Sequence, residues 1–290
     1  LEVDGDVEQI KAIVDDAMKA GAERDVGHDY LQDFEERYSE TARVTAPTPW
    51  DLINELMQGG LGAGELGVVV APAGIGKSWV LSSLGAYALS QKLNVVHYTL
   101  ELNESYVGLR YDSIFSGVEG QNLKYHKEEV QEKIFNLDGK LTIKYYPTKT
   151  CTVNTLAAHL KKVTSFGGQV DMVLVDYADI MRDVNKTTEM RHALGNIYED
   201  LRGLAGELQV PIWTASQANR SALDEDVIEA TKVAESYAKV MTADFVMSLS
   251  RKVEDKIGNT GRFHVIKNRF GPDGLTFPAK INTNIGKIEI

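Results

Sequence analysis

The sequence predicts an α/β protein with a mostly parallel central sheet flanked by helices and an antiparallel hairpin edge near the C-terminus. Three observations support this fold class. Short apolar runs alternate with helical segments through residues 66–215, which is typical of parallel strands joined by crossover helices. A glycine-containing loop, APAGIGKS at residues 71–78, follows the first of these runs. After residue 245 the apolar runs are short and separated by turns, which indicates hairpins.

The composition is that of a globular protein, with 43% hydrophobic and 25% charged residues among 290. No apolar stretch approaches the roughly 20 residues that span a bilayer, and no signal-peptide pattern is present, so we expect a cytoplasmic protein without a membrane partner. A single cysteine, Cys151, excludes an internal disulfide. The net charge of −11 argues against a surface that coats duplex DNA nonspecifically. It does not exclude nucleic acid, because a groove needs only a locally basic lining.

Residues 1–45 are predicted to form an N-terminal helix and linker, which precede a main domain at residues 46–290. Apolar residues recur at helical spacing between residues 6 and 20, and a polar, charged stretch with a short helix near residues 29–38 follows. Two interpretations are open for the apolar stripe. It packs on its own domain, or it docks on a neighbouring subunit.

The main domain is predicted element by element from hydrophobic periodicity and turn residues. Helical spacing indicates helices at residues 50–57, 79–91, 104–115, 124–136, 153–164 and 189–208. Apolar runs indicate strands at residues 66–70, 94–99, 141–146, 172–175 and 210–215, and shorter ones at 245–250, 263–267, 275–281 and 287–290. Glycine and proline place turns at residues 258–261 and 271–274.

The loop at residues 71–78 has the features of a phosphate cradle between a buried strand and a helix. Backbone N–H groups can converge on the phosphates, Lys77 can reach the terminal phosphates, and Ser78 can ligate Mg²⁺. The first glycine of the usual pattern is replaced here by Ala71. The loop therefore predicts a site for ATP, formed by Ala73, Gly74, Ile75, Gly76, Lys77, Ser78 and Trp79.

Two acidic residues end predicted strands at the edge of the sheet where such proteins bind ligands. Glu101 ends the strand after the loop, where it could activate a water molecule for attack on the γ-phosphate, or be merely solvated. Asp176 closes the apolar run at residues 172–175, as expected of an aspartate that holds Mg²⁺. We interpret Asp179, three residues later, as a cap or a solvated acid.

Three further side chains fit a nucleotide-dependent machine. Gln217 follows a strand and can contact the γ-phosphate, and the long polar loop at residues 218–235 after it is either functional or a surface excursion. Lys267 and Arg269 lie in a C-terminal hairpin. They are either salt-bridge partners or, in a ring-shaped assembly, residues that reach into the site of the next subunit.

The order of these motifs resembles the RecA-like motor domain, a P-loop NTPase, of the DnaB-type hexameric replicative DNA helicases. The resemblance covers residues 50–290 and is closer to the members from T-even-like phages. It is carried by APAGIGKS at 71–78, TLE at 99–101, VDY at 175–177, SQANRS at 216–221, AD at 243–244 and KNRFGP at 267–272. The phage likeness lies in EDLRGLA at 199–205 and ESY at 235–237.

This resemblance implies roles for single residues. Lys77, Ser78 and Asp176 would bind MgATP, and Glu101 and Gln217 would activate water and sense the γ-phosphate. Lys267 and Arg269 would act in trans. The loops near residues 182–191 and 219–235 would face a central channel and hold single-stranded DNA. Two departures are visible. Tyr237 stands where bacterial members have glycine, and residues 1–45 supply at most a linker in place of the collar domain, which we interpret as a sign of a fragment.

The sequence therefore predicts an ATP-driven homo-hexameric motor that moves on single-stranded DNA and separates forked duplex DNA in a bacterial or phage-infected cell. A primase and a helicase loader are candidate partners implied by the resemblance. Two alternatives remain open. One is a RecA-type recombinase that forms helical filaments, and the other is an assembly or loader subunit for which ATP is a conformational ligand.

Overall fold

The chain divides into two compact units, Leu1–Arg43 and Val44–Ile290. The computed structural model describes residues 10, 14, 27–39, 43–185, 187–232 and 238–290. In the first unit, α1 (Phe34–Arg37) lies within the predicted short helix, and Ile10 and Val14 are helical and exposed. The other positions of the predicted apolar stripe lie outside the described residues, so its packing or docking role stays a prediction.

The second unit alternates helices with strands. Its helices are α2 (Asp51–Leu56), α3 (Lys77–Ser90), α4 (Glu104–Ser116), α5 (Lys127–Phe135), α6 (Val153–Ser165), α7 (Met190–Leu208), α8 (Ala238–Thr242) and α9 (Val253–Gly258). Its strands are β1 (Thr45–Ala46), β2 (Leu61–Gly62), β3 (Leu66–Ala71), β4 (Val95–Thr99), β5 (Leu141–Tyr145), β6 (Met172–Asp176), β7 (Ile212–Gln217), β8 (Phe245–Ser250), β9 (Thr260–Asn268), β10 (Thr276–Asn282) and β11 (Lys287–Glu289).

In the described part of the chain, nine strands form one sheet in the order β11-β10-β9-β8-β3-β7-β6-β4-β5. Strands β8, β3, β7, β6, β4 and β5 run parallel, and β9, β10 and β11 pair antiparallel. The predicted fold class is confirmed. Because the carboxyl ends of parallel strands share one edge, the segments that follow β3, β4, β6, β7 and β8 meet there.

The two faces of the sheet bury separate hydrophobic clusters. Along β3, Val68 and Val70 belong to the cluster that also contains Leu201 of α7. Val69 lies in the other cluster, with Leu84 of α3. Successive side chains of a strand point to opposite faces, so a continuous apolar run is what a strand covered on both sides requires.

Two details of the C-terminal prediction are wrong. The connection at residues 258–261 is not a hairpin turn, because α9 fills residues 253–258 and β9 begins at Thr260. The Asp255 carboxylate accepts a hydrogen bond of 2.9 Å from the backbone N–H of Lys252 and so stabilises the start of this helix. Strand β8 was predicted in the antiparallel edge, but it pairs parallel to β3, with Phe245 opposite Gly67.

Gly67 allows the close approach of β3 and β7. A Cβ at this position would overlap the indole ring of the buried Trp213, which is its register partner. We expect Gly67→Ala to lower the free energy of unfolding by about 1–3 kcal/mol, since an overpacked core must shift its side chains. Urea unfolding followed by circular dichroism measures this change.

The matched control is Gly203→Ala in the interior of α7. Gly203 is exposed, and an added Cβ would meet no atom within 4 Å. This variant should be more stable than the parent chain by about 0.4–1 kcal/mol, because alanine restricts the unfolded chain. An unchanged unfolding midpoint for Gly67→Ala would show that the core accommodates the methyl group.

No helix in the described part of the chain combines the length and the apolar character needed to cross a bilayer.

Candidate nucleotide-binding site

The phosphate-binding loop is held between β3, whose six residues are all buried, and the first turn of α3. Gly74 and Gly76 have φ angles of +72° and +124°, a region that favours glycine. A Cβ added at Gly74 would meet no atom within 4 Å, so the space above the loop is open. Because the first N–H groups of a helix carry partial positive charge, the loop presents an anion-binding surface.

Lys77 is the first residue of α3 and is held over the loop. Its Nζ donates hydrogen bonds to the backbone oxygens of Ala71 and Pro72, at 2.9 and 3.2 Å. Burial lowers the pKa of the Lys77 ammonium, and nearby carboxylates, Asp176 foremost, oppose that change. A partly desolvated ammonium held by carbonyl groups is suited to bind a phosphate oxygen in their place.

Ser78 and Asp176 form a pair of oxygen donors beside Lys77. Asp176 ends β6 and is 3% exposed. Burial raises the pKa of its carboxyl group, and a hydrogen bond from Ser78 opposes that change. Within the described residues, Oδ1 of Asp176 is buried without a hydrogen-bond partner. A carboxylate and a hydroxyl with spare acceptor capacity are the ligand types that Mg²⁺ prefers, so these residues fit that ion.

Glu101 is exposed in the turn between β4 and α4. Thr99 fixes this turn, because its hydroxyl donates to the carbonyl of Leu102 at 2.7 Å and accepts from the backbone N–H of Leu102 at 3.2 Å. Asn103 then caps α4 by accepting from the backbone N–H of Tyr106 at 3.0 Å. The carboxylate is therefore carried by an ordered turn at the phosphate-loop edge.

Gln217 is the last residue of β7 and lies beside Ala71 in the parallel register. Its backbone N–H donates to Oδ2 of Asp179 at 2.9 Å, which holds the end of the strand in place. The strand extends two residues beyond its predicted end, so Gln217 is positioned by the sheet rather than by the loop that follows.

These residues surround one cavity of about 440 Å³ at the carboxyl edge of the sheet. It brings together most of the predicted site, namely Ala73, Gly74, Gly76, Lys77, Ser78, Trp79, Glu101 and Gln217. Ile75 and Asp176 are buried and do not line the cavity, and Asp176 is hydrogen-bonded to the Ser78 side chain, which does. The cavity is lined by several cationic side chains and by the carboxylate of Glu101. The cations suit a polyphosphate ligand, and the carboxylate can serve as an acid-base group.

Comparison with known families bears on what this cavity does. Residues 47–285 match the family described as DnaB-like helicase C terminal domain, which is most of the chain. The chain belongs to this family. The resemblance carried by the sequence motifs is thereby confirmed, and residues 47–285 are called the DnaB-like domain below.

Curated relatives of the DnaB-like domain include two replicative helicases. The DnaB-like replicative helicase of Enterobacteria phage T4 is 28% identical over 282 residues, which cover 92% of this chain and 59% of that protein. A replicative DNA helicase DnaB of Helicobacter pylori is 23% identical over 58% of this chain and 35% of its own length. The matched region thus spans about three fifths of the length of the phage relative and about one third of the length of the bacterial one.

Two solved structures share the fold of the DnaB-like domain. One is a DnaB-like replicative helicase described with its interactions with primase, which has a TM-score of 0.76 and 17% identity over 98% of this chain and 73% of that one. The other is an ATPase domain with a TM-score of 0.74 and 17% identity, over 88% of this chain and 94% of that one. At this identity the likeness concerns the fold.

Two arginines that were not predicted as site residues, Arg110 and Arg251, line the cavity of the DnaB-like domain. Arg110 of α4 lies 5.2 Å above the Trp79 ring, and its Nη1 is buried without a partner among the described residues. Burial lowers its pKa, while Asp176 opposes that change. Arg251 follows β8 directly and donates to the carbonyl of Thr260 at 2.9 Å. Arg251 was not predicted as a site residue, because β8 was not predicted to end at the edge of the sheet that carries the phosphate loop.

Lys267 and Arg269 do not line the cavity of their own DnaB-like domain. They lie at the end of β9, beside the start of β3, since Asp244 bonds both to Arg269 Nη1 at 2.7 Å and to the backbone N–H of Leu66 at 3.0 Å. The phosphate loop begins at the other end of β3, roughly 20 Å away for six extended residues. These two side chains therefore belong to the opposite edge of the sheet.

The first predicted DNA segment, residues 182–191, is described except for residue 186, and its described residues include a hydrogen-bond network around Asp183. This carboxylate, 7% exposed, accepts hydrogen bonds of 3.1 Å from the backbone N–H groups of Asn185 and Thr187. Asn196 of α7 adds a third, at 3.2 Å. These bonds lower the pKa of Asp183 against the opposing effect of burial.

The second predicted DNA segment, residues 219–235, is described up to residue 232. It is tied to β8 rather than lying free on the surface, because Ser248 donates to the carbonyl of Ile228 at 2.7 Å and Ser250 to that of Asp226 at 2.6 Å. Tyr237, where the sequence departs from bacterial members, lies outside the described residues.

Proposed function

We propose that this chain is the ATP-hydrolysing motor of a hexameric DNA helicase that moves along single-stranded DNA and separates duplex DNA at a replication fork. One observation carries the proposal. The cavity of the DnaB-like domain gathers the phosphate loop, Glu101 and Gln217 at one edge of the sheet, with the buried Asp176 hydrogen-bonded to Ser78. This is the complement of groups that phosphoryl transfer to water requires.

Each side chain then has a distinct task. Lys77 binds the terminal phosphates and stabilises charge that develops on them during transfer. Glu101 orients the attacking water and accepts its proton. Gln217 contacts the γ-phosphate through its amide and so distinguishes ATP from ADP. Ser78 and Asp176 would hold Mg²⁺, which when bound neutralises part of the phosphate charge.

A ring explains the placement of Lys267 and Arg269. Their edge is opposite the phosphate loop, so they cannot reach the site of their own subunit without unfolding the sheet. A neighbour placed head to tail brings one subunit's loop edge to the next subunit's Arg269 edge, and this heterologous contact closes into a ring when the rotation allows. Each ATP site is then shared between two subunits.

The two segments at residues 182–191 and 219–235 are proposed to hold the strand in the ring channel. Contacts to the phosphate backbone suffice for movement that does not depend on sequence. The chain's net charge of −11 then belongs to the remaining surface. A primase is a further partner that we propose, since one solved neighbour is described with its interactions with primase. A helicase loader and a cytoplasmic location complete the proposal.

Two alternatives lead to different particles. A recombinase on the same fold would form open helical filaments, and an assembly subunit that uses ATP as a conformational ligand would bind nucleotide without turning it over. The carboxylate of Glu101 in the cavity favours a hydrolase over the second alternative.

Native mass measurement of the chain with a non-hydrolysable ATP analogue and an oligonucleotide tests the proposal. We expect one closed species that contains six chains and one strand. A continuous series of masses would favour a filament. Monomers that bind nucleotide without the oligonucleotide would contradict the ring. Unwinding of a labelled forked duplex, which should require ATP, separates a helicase from an ATPase that only binds DNA.

A further inference from the structure

Asp179 lies in the short turn Ala178–Ile180 that follows β6, and its prediction as a cap or solvated acid is wrong. Its side chain is 11% exposed and forms an ion pair of 2.9 Å with Lys239, which is 1% exposed. Burying two charges costs solvation free energy, which a well-bonded pair only offsets. Such a pair is therefore weak evidence for added stability, and its connections indicate another use.

The Asp179 carboxylate joins three elements of the site. Its Oδ2 accepts from the backbone N–H of Gln217 at 2.9 Å and from the Ser216 hydroxyl at 3.2 Å. Its Oδ1 accepts from the hydroxyl of Tyr198 on α7 at 2.8 Å. Burial raises the pKa of the Tyr198 phenol, so that group remains a donor. The end of β7, and with it Gln217, is thus bonded to the turn after Asp176.

Lys239 extends the network to a fourth element. It belongs to α8, which follows the second predicted DNA segment, and its Nζ also donates to the Ser216 hydroxyl at 3.3 Å. The turn that carries Asp179 leads, in the other direction, into the first predicted DNA segment at Arg182. One buried ion pair therefore connects the end of β7, which carries Gln217, to the residues that adjoin both predicted DNA segments.

We propose that Asp179 and Lys239 are positioning residues that transmit the state of Gln217 to both DNA segments. The inference rests on the proposed function, because it assigns a path between ATP and DNA. When the Gln217 amide moves with the γ-phosphate, its backbone N–H pulls on Asp179. Asp179 in turn moves the first segment directly and the second through Lys239. Hydrogen-bond and ion-pair networks that join secondary-structure elements are one physical route by which two sites are coupled.

The test removes the charge pair while keeping its shape, in the double variant Asp179→Asn with Lys239→Met. The asparagine oxygen can still accept from the Gln217 N–H, and loss of both charges leaves neither buried and unpaired. We expect basal ATP turnover and the KM for ATP to be unchanged. The kcat at saturating single-stranded DNA should fall by at least about fivefold, the lower range of coupling between sites.

The matched control is Lys92→Met with Asp138→Asn. This pair has the same residue types and the same 2.9 Å separation, but its side chains are 76% and 66% exposed. DNA stimulation should stay at the wild-type value in the control. A folded Asp179→Asn, Lys239→Met variant with wild-type stimulation and wild-type affinity for the strand would overturn the inference alone. A wild-type chain that DNA does not stimulate would overturn the proposed function as well.

Hydrogen exchange on the wild-type chain gives a measurement that needs no variant to fold. Binding of a non-hydrolysable ATP analogue should slow amide exchange in the phosphate loop, in the turn at residues 178–183 and in α8 at residues 238–242. Slower exchange confined to the phosphate loop would contradict the proposed path.

Discussion

Lys77→Ala is expected to lower ATP turnover by at least about 10²–10³-fold, the loss typical of removing one group that stabilises transition-state charge. The reason is local. The Lys77 ammonium lies over the phosphate loop, where two backbone oxygens hold it in reach of a terminal phosphate. Alanine leaves the loop backbone in place but removes its only side-chain cation, so both ATP affinity and catalysis should fall. Steady-state phosphate release and titration with a fluorescent nucleotide measure the two effects.

Glu101→Gln serves as the comparison for this experiment. Its side chain is exposed in the cavity and keeps the same size, so nucleotide affinity should stay at the wild-type value while turnover falls. Loss of turnover without loss of affinity in Glu101→Gln, and loss of both in Lys77→Ala, separates a water-activating group from a phosphate-binding one. Wild-type turnover in either variant would remove that residue from the proposed mechanism.

If Arg269 acts in trans as we propose, Arg269→Ala should lower turnover in the assembled ring by about 10³–10⁵-fold, the contribution of an arginine supplied by a neighbouring subunit. Nucleotide binding by a single chain should be unaffected, because Arg269 lies at the opposite sheet edge. Within one chain, Asp244 pairs with Arg269 at 2.7 Å and also accepts from Arg202 Nε at 3.0 Å, while the Arg269 side chain is half exposed. Turnover with and without assembly measures the effect.

Mixing inactive chains tests whether Arg269 acts across a subunit boundary. An Arg269→Ala chain still supplies Lys77, and a Lys77→Ala chain still supplies Arg269, so mixed rings contain some complete sites and should recover turnover. The matched control is Arg262→Ala on the same strand, which pairs with Asp255 at 2.9 Å and with Asp226 at 3.5 Å rather than with Asp244. That variant should turn over ATP at the wild-type rate. Mixed rings without any recovery would place Arg269 in its own subunit's site.

Much of the candidate site could be predicted because its signals are local in the chain. The glycine loop, its lysine and the following helix are contiguous, and their geometry follows from allowed backbone angles at Gly74 and Gly76. Asp176 and Glu101 were found because residues that end parallel strands meet at one edge. Gln217 was predicted by the same rule, although β7 begins and ends two residues later in the chain than predicted.

The remaining site residues depend on which segments become neighbours. Arg251 enters the cavity because β8 pairs parallel to β3, a choice that short apolar runs do not reveal. In the sequence, Arg110 is one charged residue among others of a predicted helix. Its position over the Trp79 ring is visible only in the structure. The short helix at residues 253–258 was not predicted, because its capping aspartate lies among other polar residues.

The sequence by itself determined the predicted nucleotide chemistry of this protein, because a phosphate loop and strand-end carboxylates are specified by residues close together in the chain. Only the tertiary structure decided how that chemistry is connected to the rest of the domain. It placed Arg269 at the edge away from its own cavity, and it paired Asp179 with a lysine 60 positions further along. Buried charges are stabilised by partners brought together through chain topology, and a linear pattern does not encode which charges will meet.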